Sequence, residues 1–312
     1  MVLAEVTVEG ADQEAAVPRP VAPPGRGRLR RAVPPVAMLV VVIGAWQLVS
    51  SSLATGRQFL LPPPWEVLTK GLVAHEAYSK ILPALGRSTE LAVVGLLIAM
   101  ALGILIGSAL YRFGWLERAS FPWLVAIQAI PVLAIAPLIA VALGYTFVAK
   151  LVIVVIIAFF PIPTSLLLGL KSVDRGLVDL FSLHRAGWFT RFFKLALPNA
   201  LPTMFTGFRI SAGLAVIGAI VGEQQFQSGS PGLGMLLLQY IQYVEYDQVY
   251  GCIIVSSLLG IAMFMTFTWL SRRLFGSWHE SVEHDRQMLR APRARRAPRF
   301  SPRADPAITN GH

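Results

Sequence analysis

Residues 89–111 read TELAVVGLLIAMALGILIGSALY, with Glu90, at the edge, the only charged side chain. At about 1.5 Å of rise per residue, a helix of this length crosses the roughly 30 Å of a bilayer's hydrocarbon core. The pattern recurs. Runs of the same character occupy residues 36–53, 120–142, 147–169, 200–221 and 249–270, so the sequence predicts an all-α, polytopic membrane protein with six transmembrane helices. Prolines 131, 137, 161 and 163 fall inside these runs, and kinked helices are expected there.

Composition agrees. Of 312 residues 55% are hydrophobic and 14% charged, against about a quarter charged in an average soluble domain, and the mean hydropathy is +0.61. The net charge of +10 is not spread evenly. Arg19, Arg26, Arg28, Arg30 and Arg31 precede the first run, Arg112 and Arg118 follow the second, and Lys171, Arg175, Arg185, Arg191 and Lys194 follow the fourth. Nine more lie from Arg272 to Arg303. The alternate connections hold only Arg57, Lys70, Lys80, Arg87 and Lys150, and residues 222–248 hold no Lys or Arg. This alternation is an orientation signal, not a nucleic-acid surface, and it predicts a cell-membrane protein with both termini cytoplasmic.

Residues 1–35 mix arginine and proline and read as a disordered cytoplasmic tail; residues 36–275 form the membrane domain, and 276–312 a basic cytoplasmic tail, read as solvated in preference to the alternative, contact with anionic lipid or RNA. A polar helix is expected to continue from Ser271 to about Arg290. Ser52-Leu53-Ala54 would suit a signal peptidase, but arginines before a long apolar run equally describe a retained anchor, the reading adopted here. Trp65, Val67, Leu68, Leu72 and Val73, set among polar residues over 64–86, predict a helix lying along the outer interface.

Several chemistries are excluded or disfavoured. The single cysteine, Cys252, allows no intrachain disulfide, and His75, His184, His279 and His284 lack metal-ligand or acid–base spacing, so neither cofactor nor metal is expected. No G-x-x-x-x-G-K-[ST] motif supplies a phosphate cradle. The alternative class, a secondary ion-coupled transporter, should show inverted halves and ionisable residues deep in its spans. Neither is apparent, with Glu90 and Arg209 assigned to span ends, Arg209 by snorkelling.

The most informative connection is residues 172–202, SVDRGLVDLFSLHRAGWFTRFFKLALPNALP. Leu177, Leu180, Phe181, His184 and Trp188 recur at helical spacing beside a polar face with Asp179, Ser182, Arg185 and Arg191. The spacing predicts an amphipathic helix over 175–195, its N-terminal dipole favoured by Asp179, relaxed at Gly187 and stopped by Pro198 and Pro202. Such a helix either rests on lipid headgroups or docks in a groove of a soluble partner, and the pattern alone favours neither.

The same loop resembles the coupling loop of ABC importer permeases. Asp179 stands on the usual acidic position, and Leu195-Ala196-Leu197-Pro198 closes the motif; Leu180 and Phe181 replace alanines, and Arg185 stands where a glycine is expected, with Gly187 two residues later. Leu61-Pro62-Pro63-Pro64-Trp65-Glu66-Val67, Gln128-Ala129-Ile130-Pro131, Ala136-Pro137-Leu138, Ser172-Val173-Asp174, Gly207-Phe208-Arg209-Ile210 and Gly232-Leu233-Gly234 are similar, in order, to the nitrate, sulfonate and taurine permease group of binding-protein-dependent transport systems. The resemblance implies a type I ABC importer permease fold that pairs with a second permease, identical or not, and passes a nitrate-, sulfonate- or taurine-like solute or a vitamin precursor. It further implies a solute-binding protein outside and ATPase subunits inside, docked on the loop at about 172–198 through Asp179, Leu180, Phe181, Arg185, Gly187, Leu197 and Pro198. ATP hydrolysis would then lie on those other chains, and this one would be no enzyme. Gln128, Thr206, Ser211 and Gln224 are equally readable as pathway groups or as helix–helix hydrogen bonds.

Overall fold

The computed structural model describes residues 27–54, 57–129 and 131–290; the expected tails over 1–26 and 291–312 lie outside the described residues. All regular structure among the described residues is helical. The chain divides into two units, Met1–Glu66 and Val67–His312.

In the first unit, α1 (Gly27–Ser52) starts well before the expected boundary at 36 and carries Pro34 and Pro35 in its interior. Its Val33–Ser52 portion is apolar enough to span a bilayer, and only 6% of it is buried inside the chain. The return segment is tied to it by two side chains, as Trp46 Nε1 donates to the Pro62 carbonyl at 3.1 Å and Ser50 Oγ to the Leu61 carbonyl at 2.8 Å. The single turn α2 (Pro64–Glu66) begins on a proline, where a missing N–H costs the helix nothing.

The second unit opens with a π-helical segment, Val67–Val73, followed by α3 (His75–Arg112). Here the expected interfacial helix over 64–86 is corrected. Val67 and Gly71 are buried, and 75–86 form the first turns of a 38-residue spanning helix. The π segment meets the start of α12 (Tyr246–Arg290) backbone to backbone: a β-carbon at Gly71 would overlap the Asp247 carbonyl, and one at Gly251 the Gly71 carbonyl. Only glycine permits that approach.

The expected third span is realised as two helices, α4 (Gly114–Ala129) and α5 (Val132–Leu143), separated at Pro131, which precedes α5 as its N-cap. Proline has no N–H and its ring clashes with the carbonyl four residues earlier, so the expected kink becomes a break. The fourth span is α6 (Phe147–Phe159) and α7 (Pro161–Lys171), joined through Phe160 in α-helical geometry. Then come α8 (Arg175–Leu183), α9 (Trp188–Arg191), a π turn at Phe192–Ala196, α10 (Leu197–Gln225) and α11 (Leu233–Gln242).

Pro198 and Pro202 do not stop the chain. Trp188–Gln225 is one helical stretch of 38 residues. The π turn just before Pro198, where the Leu197 N–H reaches back to Phe192, opens the helix where the proline ring would otherwise collide and its missing N–H would leave a gap. Five helices of the described residues are long and apolar enough to cross a membrane, and the broken α4–α5 pair adds its apolar length to them.

The core forms around α10, which packs on α3, α6, α7 and α12. Ala200, Ala212, Ala215 and Ala219 of α10 are fully buried, in one cluster with Leu96 of α3 and Ile162 and Leu166 of α7. Lipid chains are as apolar as leucine, so helix association in a bilayer relies on close fit, and small residues at the crossings allow it. Leu105, Leu168, Leu258 and Met265 are exposed on the outside of the bundle, as side chains facing hydrocarbon should be.

Candidate functional site

The loop between α7 and α10 folds from its residue chemistry outward. Asp174 is the N-cap of α8, its carboxylate accepting from the Gly176 N–H at 2.8 Å. Asp179 is therefore four residues inside the helix, past the first turn where the helix dipole acts, which corrects its expected place near the N-terminus. It is exposed and makes no hydrogen bond or ion pair among the described residues.

At the other end, α8 stops within the predicted helix. The Arg185 N–H donates to the Ser182 carbonyl at 2.9 Å and the Ala186 N–H to the Phe181 carbonyl at 3.0 Å, the bond pair of a Schellman stop. Arg185 occupies its left-handed position, φ 49°, which glycine normally fills. The position that departs from the family's glycine thus keeps glycine's backbone conformation.

None of α8 is buried. Leu180 is 47% exposed and Leu183 82%, with Leu177 and Val178 beside them, while Phe181 is half-buried. Trp188, expected on the same stripe, turns inward: it stacks on Phe192 at 5.0 Å and 15°, lies under the Arg112 guanidinium, and packs against the main core. Gly187 is the N-cap of α9, and Leu197 and Pro198 open α10, Leu197 against the core. Asn199, which sequence reasoning missed, closes the base of the loop: its Nδ2 donates to Ser172 Oγ at 3.0 Å and to the Gly169 carbonyl at 3.3 Å. The result is a short amphipathic helix, fixed at both ends and held out from a rigid base.

The far end of α10 carries a second cluster, whose residues sequence reasoning placed at the edges of the spans. Glu223 and Lys150 are buried, 3% and 8% exposed, within spanning helices. Ser88 of α3 donates to both Glu223 carboxylate oxygens at 2.7 and 2.9 Å, and the Gly234 N–H donates to Glu223 Oε2 at 2.8 Å. Ser88 Oγ in turn accepts from the Leu233 N–H at 2.8 Å. Leu233 and Gly234 are the first two residues of α11, whose N–H groups have no partner inside their own helix, and Ser88 and Glu223 supply one from other helices. Lys150 Nζ donates to the Ser228 carbonyl and an Arg87 guanidinium nitrogen to that of Pro231, both at 2.7 Å. Four polar side chains from three helices thus hold one connection. Glu223 followed by Gly232-Leu233-Gly234 was the available signal, since both glycines are spaces that the carboxylate and α10 fill.

The other predicted polar groups are scattered. Gln128 lines an apolar cavity of about 450 Å³ with Leu102, Val155 and Phe160, Thr206 is exposed, and Gln224 is half-buried on an open groove between α10 and α12. Ser211 is buried, and its hydroxyl has no partner among the described residues. Arg209 sits near the middle of α10, not at a span end, and bonds Thr206 Oγ1 at 2.9 Å.

The family model described as binding-protein-dependent transport system inner membrane component matches residues 99–276. The formylaminopyrimidine transport permease protein ThiX of Halalkalibacterium halodurans is 33% identical over 76% of this chain and 92% of its own. The riboflavin transport system permease protein RibX of Chloroflexus aurantiacus is 29% identical over 79% and 90%, and the putative aliphatic sulfonates transport permease protein SsuC of Bacillus subtilis 27% over 78% and 86%. A chain of the methionine ABC transporter MetNI, solved in inward-facing conformations, superposes with a TM-score of 0.55 at 18% identity, covering 64% of this chain and 98% of that one; this likeness shows the fold.

Proposed function

The chain belongs to the family of binding-protein-dependent transport system inner-membrane components, and from that premise we propose how it works as the permease subunit of an ABC importer. It forms the pathway for a small solute. Two copies enclose that pathway, both termini lie in the cytoplasm, ATPase subunits dock on the 172–198 loop, and a solute-binding protein delivers cargo at the end where α11 lies. The relatives' cargoes, a formylaminopyrimidine, a riboflavin and aliphatic sulfonates, mark the class of solute: small and polar or anionic.

One observation carries the docking assignment. Helix α8 presents Leu180 and Leu183 to the outside with no cover among the described residues, yet its ends are fixed by Asp174 and the Arg185 stop and its base by Asn199. A fixed helix with an uncovered apolar ridge suits a partner's groove, where a few large side chains supply most of the binding energy. Beyond the Arg185 stop, the stretch from Trp188 to Gln225 is continuous, so displacement of α8 passes through a three-residue turn, Arg185–Gly187, into a helix that enters the membrane. Asp179, Phe181, Gly187, Leu197 and Pro198 serve this arrangement in different ways: Asp179 as an unpaired charge for the partner, the others by setting the helix and its return.

The test is retention of the ATPase subunits during purification at equal membrane expression. Leu180→Ala, on the order of 2 kcal/mol if it is a binding anchor, and Asp179→Lys are both expected to lower retention. A helix that merely rests on lipid predicts unchanged retention in both, and that result would remove the docking assignment.

A further inference from the structure

Arg209 stands deep in the bundle without a counter-charge. Its depth follows from packing: a β-carbon at Gly207, less than one turn away, would overlap the Pro161 carbonyl and the Ser165 side chain. Pro161 lies about 15 Å of helix from the end of α7 at Lys171 and about 21 Å from the start of α6 at Phe147, at 1.5 Å per residue. Only one of the five N–H donors of the Arg209 guanidinium has a partner among the described residues, the Thr206 hydroxyl at 2.9 Å, and its Nε is buried without one. Thr206 Oγ1 also donates to the Pro202 carbonyl at 3.3 Å, which fixes the group that holds the guanidinium. Thr206 lies on the open face of α10, with Ile210 and Ile217 exposed and Gly213 facing empty space, and a groove of about 1000 Å³ runs along that face.

We propose that Arg209 is a solute-binding residue of the pathway, taking the carboxylate or sulfonate group of a small organic anion as it passes the middle of the membrane. The inference rests on the importer reading given under Proposed function and places one wall of its pathway on the open face of α10. A guanidinium keeps its charge wherever it sits, and a charge at this depth belongs in a bundle interior or a water-filled cavity, not against lipid. Residues 33–52, 91–111, 118–171, 188–222 and 248–274 hold no Asp or Glu, so neither this chain nor a second copy of it brings a carboxylate to that depth. The counter-charge therefore comes from outside the permease. The planar fork of N–H groups matches a carboxylate or sulfonate oxygen pair, and the space beside it is open.

The experiment uses the full transporter with its ATPase subunits in nanodiscs, carrying Gly213→Cys one turn from Arg209 on the open face; Cys252 is buried and stays unmodified. Two thiol reagents of one reactivity class are the probes, the anionic sulfonatoethyl methanethiosulfonate and its cationic trimethylammonioethyl counterpart, each rate divided by that with free mercaptoethanol. With Arg209 in place the anionic reagent is expected to be favoured about ten-fold, as a unit charge a few ångströms away dictates. Arg209→Gln is expected to abolish the preference and Arg209→Lys to retain most of it. Ethanesulfonate is expected to slow the anionic reagent, and the neutral dimethyl sulfone to leave it unchanged. Should Arg209→Gln fail to accumulate, this protection, read with Arg209 in place, decides the matter: its absence overturns the proposal. An undiminished anion preference in Arg209→Gln overturns it too, since the guanidinium then serves the headgroups. A cysteine that neither reagent reaches, without nucleotide or after trapping with MgATP and vanadate, shows the face covered by lipid or protein and overturns it as well. Failure of the importer reading shows separately, as a permease that retains no ATPase subunits.

Discussion

Ser88 Oγ lies 2.7 and 2.9 Å from the two carboxylate oxygens of Glu223, a residue 135 positions further along the chain. The contact closes a space that two glycines were required to leave open. At Gly232 an added β-carbon would overlap the carboxylate, and at Gly234 it would overlap the Ile220 carbonyl. Gly232→Ala and Gly234→Ala should each cost about 1–3 kcal/mol, as overpacked sites do. Thermal unfolding in detergent, followed by loss of the monodisperse peak, reads this directly. Gly114→Ala, where nothing lies within 4 Å, should leave the midpoint near that of the parent.

Two helices end on the wrong residue for their backbone. Arg185 (φ 49°) and Val244 (φ 63°) both hold the left-handed position of a Schellman stop, the second with the Glu245 N–H donating to the Tyr240 carbonyl at 2.9 Å. A β-carbon in that conformation costs on the order of 1 kcal/mol, more when branched as in valine, while glycine is free of that penalty but loses more entropy on folding. Val244→Gly is expected to raise stability by about 0.5–1 kcal/mol, and Arg185→Gly by less. Arg185→Val should lower it. Midpoints of denaturation for the three variants give the order, and a destabilised Val244→Gly would contradict the strain argument.

Asp174 and Asp179 separate a structural acid from an exposed one. Asp174→Ala removes the cap bond to Gly176 and should cost α8 about 1 kcal/mol, seen as roughly five-fold faster amide exchange in 177–183. Asp179→Lys should leave that exchange rate within a factor of two, because the residue lies beyond the first turn. Equal loss of protection in both would place the dipole argument where the sequence first put it.

Topology follows from the alternation of basic residues. Reporter fusions at residue 20, within 172–195 and after 275 are expected to report cytoplasm, and one at Ser228 the opposite side. A cytoplasmic signal at Ser228 would overturn the six-span arrangement.

The helical membrane class was legible in the sequence because it depends on local quantities: length of apolar run, and the position of arginine relative to it. The loop over 172–198 was singled out by likeness, and the amphipathic spacing of Leu177, Leu180 and Phe181 does form a helix with an exposed apolar ridge. Its limits were not legible. Whether Arg185 adopts the left-handed region, or whether Pro198 stops a helix, depends on how the neighbouring backbone rearranges, and a π turn five residues long decided the second.

Glu223 and Lys150 show the same division more sharply. By sequence both sit at the edge of an apolar run, next to connections that hydropathy assigns to water. Only the tertiary structure buries them, because their partners, Ser88 and the backbone of Ser228 and Gly234, come from other parts of the chain. Hydropathy sums what each residue prefers alone. A buried carboxylate is tolerated only when its hydrogen bonds are supplied, and that supply is a property of packing at long range.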